Sequence, residues 1–144
     1  MPSYIASYVH NDGKLGVLLE LQCNDDFSMR TNEFRELARN LTMHIAACNP
    51  TWVSSTDVPL EEWEAELSRA RPALSGLDTL ERQRRLLQLR TQYERGYCLL
   101  NQPYVKDDSK SVEALITEVG SKLHDRVIVV RFTRYAAMSG RGDR

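Results

Sequence analysis

Between Cys23 and Arg30 the chain places two adjacent carboxylates, Asp25 and Asp26, an aromatic, Phe27, and a guanidinium, Arg30. Paired carboxylates are the residues of general acid–base catalysis and of divalent-cation ligation, but each chemistry needs partners. No nucleophile–base motif, phosphate loop or metal-ligand spacing accompanies this pair. The three histidines, His10, His44 and His124, lie far apart, and no Cys-x-x-Cys joins them, so no metal site and no cofactor is expected. Adjacent acids in a loop are ordinarily just solvated. What remains is an acid and an aromatic side by side in a turn, a shape that can enter another protein as a wedge.

The elements that would hold this wedge are readable from periodicity. Leu15, Val17, Leu19 and Leu21 alternate with Gly16, Leu18, Glu20 and Gln22, which predicts a strand with one strongly buried face. Ser3 to Val9 reads as a second strand, and Asn11-Asp12-Gly13 supplies residues tolerant of positive φ, so the two form a hairpin. After the loop, Phe34, Leu37, Ala38, Leu41, Ile45 and Cys48 recur at helical spacing, with Thr31 or Asn32 as cap and Asn49-Pro50 as terminator. The turn therefore joins a buried strand to an amphipathic helix.

Further on, a second helix opens at Pro59 with Leu60, Trp63 and Leu67 as its inner stripe and Pro72 as its end. A third runs from about Asp78 to Arg95 with Leu86, Leu89, Tyr93 and Tyr97 on one face; its arginines read as a solvated surface. Asn101 to Val105 reads as an extended link. Ser109 or Ser111 caps a fourth helix carrying Val112, Leu115, Ile116, Val119 and Leu123. Arg126 to Ala136 is a closing strand, with Val127 and Val129 on the face of Arg131, Thr133 and Tyr135, and Ile128, Val130 and Phe132 opposite. Strands at both ends with helices between predict an α+β fold, a small antiparallel three-stranded sheet covered by helices. A single domain over 1–136 and a flexible tail over 137–144 are expected.

Composition narrows the function classes. The 144 residues carry 19 basic and 20 acidic side chains, so no global field favours nucleic acid or a membrane surface. No apolar run approaches the roughly 20 residues that span a bilayer, and the N-terminus lacks a signal pattern. Three widely spaced cysteines, Cys23, Cys48 and Cys98, read as reduced, mostly buried thiols, which with the rest makes a cytoplasmic setting the expectation. Asn40-Leu41-Thr42 and Arg141-Gly142-Asp143 match short motifs without the context that would give them meaning.

Several segments together carry a family resemblance. Asp26, Phe27 and Arg30 match the Thr-Asp-Phe-Val-Ala-Arg loop of elongation factor Ts, while Asp25, Ser28 and Met29 depart from it. Ser7-Tyr8-Val9-His10 with Gly13 to Glu20, Met43-His44-Ile45-Ala46-Ala47 with Asn49-Pro50, Leu99 to Lys110, and Val129 to Tyr135 resemble further family segments in the same order. The resemblance starts at the first strand of the family core, so the chain reads as a core-only relative without the small N-terminal helical domain.

It implies a guanine-nucleotide exchange factor in translation elongation, not an enzyme, binding elongation factor Tu in its GDP-bound or nucleotide-free form. Asp26, Phe27, Arg30, His10, Met43 and His44 are the partner-binding residues it implies. The alternative is an interaction module that docks on the same or another translation partner without accelerating exchange; restoring the family residues at Asp25, Ser28 and Met29 would then recover it. A homodimer through the closing strand is also expected.

Overall fold

The computed structural model describes residues 1–10 and 12–138. The expected tail and the Arg141-Gly142-Asp143 motif fall mostly or wholly outside them, as does Asn11 of the first turn. The chain divides into two compact units, one formed by residues 1–49 and 103–144 and the other by residues 50–102.

The first unit is built on a three-stranded antiparallel sheet of β1 (Ser3–His10), β2 (Leu15–Gln22) and β5 (Ile128–Ala136), with β2 in the centre. The first turn uses positive φ at Asp12 (55°) and Gly13 (84°), as its composition predicted. Val17, Leu19 and Leu21 are buried and Leu18 is exposed, so the alternation in β2 reports the burial faithfully. Helix α1 (Asn32–Cys48) lays Phe34, Leu37, Ala38, Leu41 and Ile45 on this buried face. Tyr4 of β1 meets the Phe34 ring edge-on at 5.4 Å. Thr31 caps α1, its hydroxyl accepting from the Phe34 amide at 3.2 Å, and Asn49 ends it in the left-handed region. Arg134 of β5 donates twice to the Ala46 carbonyl, at 3.2 and 3.0 Å, satisfying one of the orphan acceptors at the end of α1.

Two local features depart from the periodic reading. The expected link at 101–105 contains part of a short hairpin, β3 (Pro103–Tyr104) with β4 (Asp107–Ser111), too short and polar to show an alternation. In β5, Glu20 pairs with Arg131 while Leu21 pairs with Val129, so Val130 is an extra residue in a bulge. The bulge transfers the strand from one face to the other. Val129 therefore lies on the core side with Phe132 and Arg134, and Arg131, Thr133 and Tyr135 lie opposite, where Arg131 pairs with Glu20 at 2.8 Å.

Helix α4 (Val112–Leu123), capped by the Ser111 hydroxyl, packs on α1. Its C-terminus is a Schellman turn: the Asp125 amide donates to the Gly120 carbonyl at 3.0 Å and the His124 amide to Ser121 at 3.3 Å. His124 takes the left-handed position, with φ 52°. Gly120 is required by packing here, since a Cβ would lie 2.8 Å from the Asp125 carbonyl oxygen.

In the second unit, helices α2 (Leu60–Leu74) and α3 (Thr79–Tyr97) form a hairpin. Val58, Tyr93 and Cys98 are buried with Trp52 and Trp63 packed against them, and Trp52 donates its indole N–H to the Tyr93 hydroxyl at 3.1 Å. The predicted inner stripe of α2 is incomplete: Leu60 is exposed, and Leu67 sits at the margin, because only Trp63 reaches the tyrosine cluster. Pro72 lies inside the last turn rather than ending the helix. Tyr97 is half exposed at the end of α3, where it flanks Tyr93.

Cys23 and Cys98 are fully buried, and loss of hydration pushes both thiols up to about 11, with nearby carboxylates adding to the effect. Cys48 is half-buried and shifted the same way. Alkylation of the native protein at pH 8 is therefore expected to spare Cys23 and Cys98, which should be modified only after denaturation; peptide mass mapping before and after urea would check this.

Candidate functional site

The loop between β2 and α1 is bonded at nearly every backbone position. The Asp25 carboxylate accepts the Phe27 amide at 2.9 Å, turning the chain, and residues 28–30 then form one 3-10 turn. The amides of Ser28, Met29 and Arg30 donate to the carbonyls of Asp25, Asp26 and Phe27 at 3.0, 3.2 and 3.1 Å. Thr31 closes it by donating its hydroxyl to the Ser28 carbonyl at 2.7 Å. Ser28 and Met29 are buried, whereas Asp26, Phe27 and Arg30 face solvent.

Phe27 is 72% exposed, the opposite of what burial preference alone expects for phenylalanine. The geometry forces this: the buried positions of the turn are taken by Ser28 and Met29. Arg30 lies against both neighbours, its guanidinium 5.8 Å from the Phe27 ring centroid and 3.1 Å from an Asp26 carboxylate oxygen. Arg30 thus braces the exposed side of the loop. Thr31 caps the helix that follows and Asp25 turns the chain, while the Asp26 carboxylate is left on the surface with Arg30.

Sequence reasoning missed one residue entirely. Asp125, just beyond α4, places its carboxylate under the loop, accepting the Asn24 and Asp25 amides at 3.0 and 3.1 Å and the Ser28 hydroxyl at 2.7 Å. Its own neighbour Arg126 donates an amide as well, at 2.6 Å. These donors, the Ser28 hydroxyl foremost, hold the Asp125 carboxyl down at about 2. Only an acid after a helix end marks it in sequence, and that is too common to single out.

Because the folded value lies below the unfolded one, near 3.9, the stabilisation from Asp125 is complete above about pH 5. It is lost as pH falls through 2. An acid titration followed by circular dichroism should show Asp125→Asn less stable than the wild type at pH 6, with the difference shrinking towards pH 2.

The other candidate residues lie elsewhere in the first unit. His10 ends β1 opposite Leu15, while the loop follows Gln22 at the far end of the same ladder, about 24 Å away by strand rise. The Tyr8 ring stacks on His10 at 5.6 Å, and its hydroxyl lies 2.7 Å from Nδ1. Met43 is half-buried near the end of α1. His44 is fully buried: Nδ1 accepts the Val105 amide at 3.1 Å and the ring stacks on Tyr104 at 6.0 Å. A buried ring offers no contact surface, so any part His44 plays runs through the β3–β4 turn that it holds. The candidates thus form two groups, the Asp26–Phe27–Arg30 array at one end of the sheet and His10 at the other.

Comparison with known proteins bears on what this arrangement belongs to. The family described as Elongation factor TS matches residues 1–138. The chain belongs to the elongation factor Ts family. It is 40% identical over 142 residues to the Elongation factor Ts of Thermotoga petrophila, covering 96% of this chain and 70% of that protein. It is 43% identical over 135 residues to that of Thermotoga neapolitana, covering 91% and 66%. Against the protein of Moorella thermoacetica it is 36% identical over 138 residues, covering 94% and 68%. The chain thus spans about two thirds of the length of these family members. Among the described residues, no helix is long and apolar enough to cross a membrane, and no cluster of His, Cys, Asp or Glu is arranged to hold a metal ion.

Proposed function

We propose that this member of the elongation factor Ts family binds elongation factor Tu through the Asp26–Phe27–Arg30 array and promotes release of GDP. The observation that carries the reading is the Phe27 ring, 72% exposed on a loop whose backbone is bonded at nearly every position. A large apolar side chain held in water by a rigid turn has its burial waiting elsewhere, and aromatic anchors of this kind dominate interface energies.

Exchange is a coupling problem. A factor that prefers the nucleotide-free form of its partner lowers nucleotide affinity by the same ratio, and each tenfold acceleration of release needs about 1.4 kcal/mol off the barrier. A wedge that shifts the groups around the partner's magnesium and phosphates supplies this. Asp26 adds negative charge where the metal is held. No covalent bond is made or broken, so the activity is not enzymatic and needs no cofactor of its own. His10 and Met43, with the turn that His44 braces, form a second contact region at the other end of the sheet. The factor acts in the cytoplasm, as a single functional core over 1–136, and without direct contact to nucleic acid.

Release of fluorescent GDP from elongation factor Tu, with and without this protein, tests the reading; equal rates would remove it. Binding without acceleration would leave the docking module. A homodimer is also proposed, through the closing strand β5, an edge strand of the sheet on which Val130 and Tyr135 are exposed. Light scattering at high protein concentration should give twice the chain mass, and a monomer mass would exclude it.

A further inference from the structure

We propose that Asp125 is the positioning residue of the wedge, holding the β2–α1 loop in its partner-binding form before any partner arrives. The inference rests on the function proposed above and adds to it a residue from the opposite end of the chain.

The Asp125 carboxylate takes three donors of the loop, the amides of Asn24 and Asp25 and the hydroxyl of Ser28. One oxygen serves Asn24 and the other serves Asp25 and Ser28, so the carboxylate bridges the end of the strand and the start of the 3-10 turn. Asp125 is itself fixed, because its amide closes the Schellman turn of α4 onto Gly120 and its carbonyl packs where a Gly120 side chain would stand. The load passes from α4 through Asp125 into the loop, and the loop ends in the exposed Phe27.

Asp125 touches none of the three exposed residues directly. It acts by removing alternatives: with these three donors held, Ser28 and Met29 stay inside while Phe27 stays outside. If the competent conformation were only a fraction of the ensemble, the apparent dissociation constant would rise by the inverse of that fraction. The consequence is a particular kinetic signature. A loosened loop should need more factor to reach half-maximal acceleration, while the plateau rate, set by the same Phe27 and Asp26 once docked, stays near the wild-type value.

Ser28 is the other half of this lock. Its hydroxyl is buried and donates to Asp125 at 2.7 Å, so Ser28→Val, which brings in the residue of the family loop, should loosen the loop instead of restoring exchange.

The test uses the full chain with Asp125→Asn, Asp125→Ala, Ser28→Ala and the double variant Ser28→Ala/Asp125→Asn, each first shown to be folded by thermal melting. Asp125→Asn preserves shape and guards against the alanine variant failing to fold. Hydrogen exchange read at the Asn24 and Asp25 amides should speed at least tenfold in the Asp125 variants, without a matching change in the β1–β2 amides. The half-saturating concentration for GDP release should rise about tenfold with the plateau within twofold of wild type, and Asp125→Glu should recover part of the loss. The double variant should be little worse than Asp125→Asn alone, since the two side chains act through one bond.

Unchanged loop exchange in Asp125→Asn would overturn the proposal outright. Faster loop exchange with an unchanged half-saturating concentration would also overturn it, by showing that the lock does not serve binding. Absence of any effect of the wild-type protein on elongation factor Tu would instead remove the functional reading, and the amide measurement would still decide whether Asp125 holds the loop.

Discussion

Phe27→Ala is expected to abolish most of the acceleration of GDP release while leaving the fold unchanged. The two halves of this expectation have different origins. Stability is spared because the ring is 72% exposed and Phe27 contributes to the turn through backbone atoms, its amide donating to Asp25 and its carbonyl accepting from Arg30. Alanine keeps both bonds. Substitutions at such surface positions usually stay within about 0.5 kcal/mol, and the melting temperature should move by no more than about 2 °C.

Activity is affected because the ring is the only large apolar group of the Asp26–Phe27–Arg30 array. Truncating an aromatic anchor costs about 2–4 kcal/mol in an interface, a factor of roughly 30 to 1,000 in affinity or rate. Stopped-flow release of labelled GDP, with melting curves of both proteins, measures the two halves together. A variant that melts normally and still accelerates release to the wild-type extent would place the wedge elsewhere.

Gly120→Ala is expected to destabilise the protein by about 1–3 kcal/mol, the usual cost of forcing in an atom where there is no room, against the sign that helix propensity gives. In an unhindered helix, alanine in place of glycine gains up to about 1 kcal/mol. Here the new Cβ would lie 2.8 Å from the Asp125 carbonyl oxygen, and the obstacle is backbone, which cannot swing aside as a flexible side chain can. Either α4 shifts away from the segment entering β5, or the Schellman turn opens. Both outcomes displace Asp125, so the loop 24–28 should loosen as well. Urea denaturation gives the stability change, and steady-state release of GDP should show a raised half-saturating concentration in the same variant. A gain in stability would mean that the close approach relaxes freely.

Much of the fold was legible because its signals are local. The alternation of Val17, Leu19 and Leu21, the helical stripe from Phe34 to Ile45 and the Ser111 cap each depend on a few neighbouring residues, and each stands in the structure as read. The failures are positions where a distant partner decides. Nothing within β5 announces a bulge at Val130; it arises from the pairing with Glu20 and Leu21. Leu60 belongs to a helical stripe by spacing, yet the second unit has no surface to cover it.

The site was half legible. Asp26, Phe27 and Arg30 could be picked out as a group, and the structure adds that Asp26 and Arg30 pair. Asp25, Ser28 and Met29 read as departures that weaken the loop, whereas Asp25 turns it, Ser28 ties it to Asp125 and Met29 is buried beneath it. A role shared across a hundred residues of sequence has no local signature.

The bond from Asn24 to Asp125 spans 101 positions, and β5 follows directly after it. Protein synthesis delivers the chain from its N-terminus, so β1, β2 and α1 exist long before the residues that complete them. During that interval the loop has its own turn but not its anchor, and closing so long a segment carries an entropy cost that only the later contacts of β2 with β5 offset. The wedge should therefore be among the last parts to become ordered as the chain is made. A nascent chain cut short before residue 125 would present Phe27 on an untethered loop.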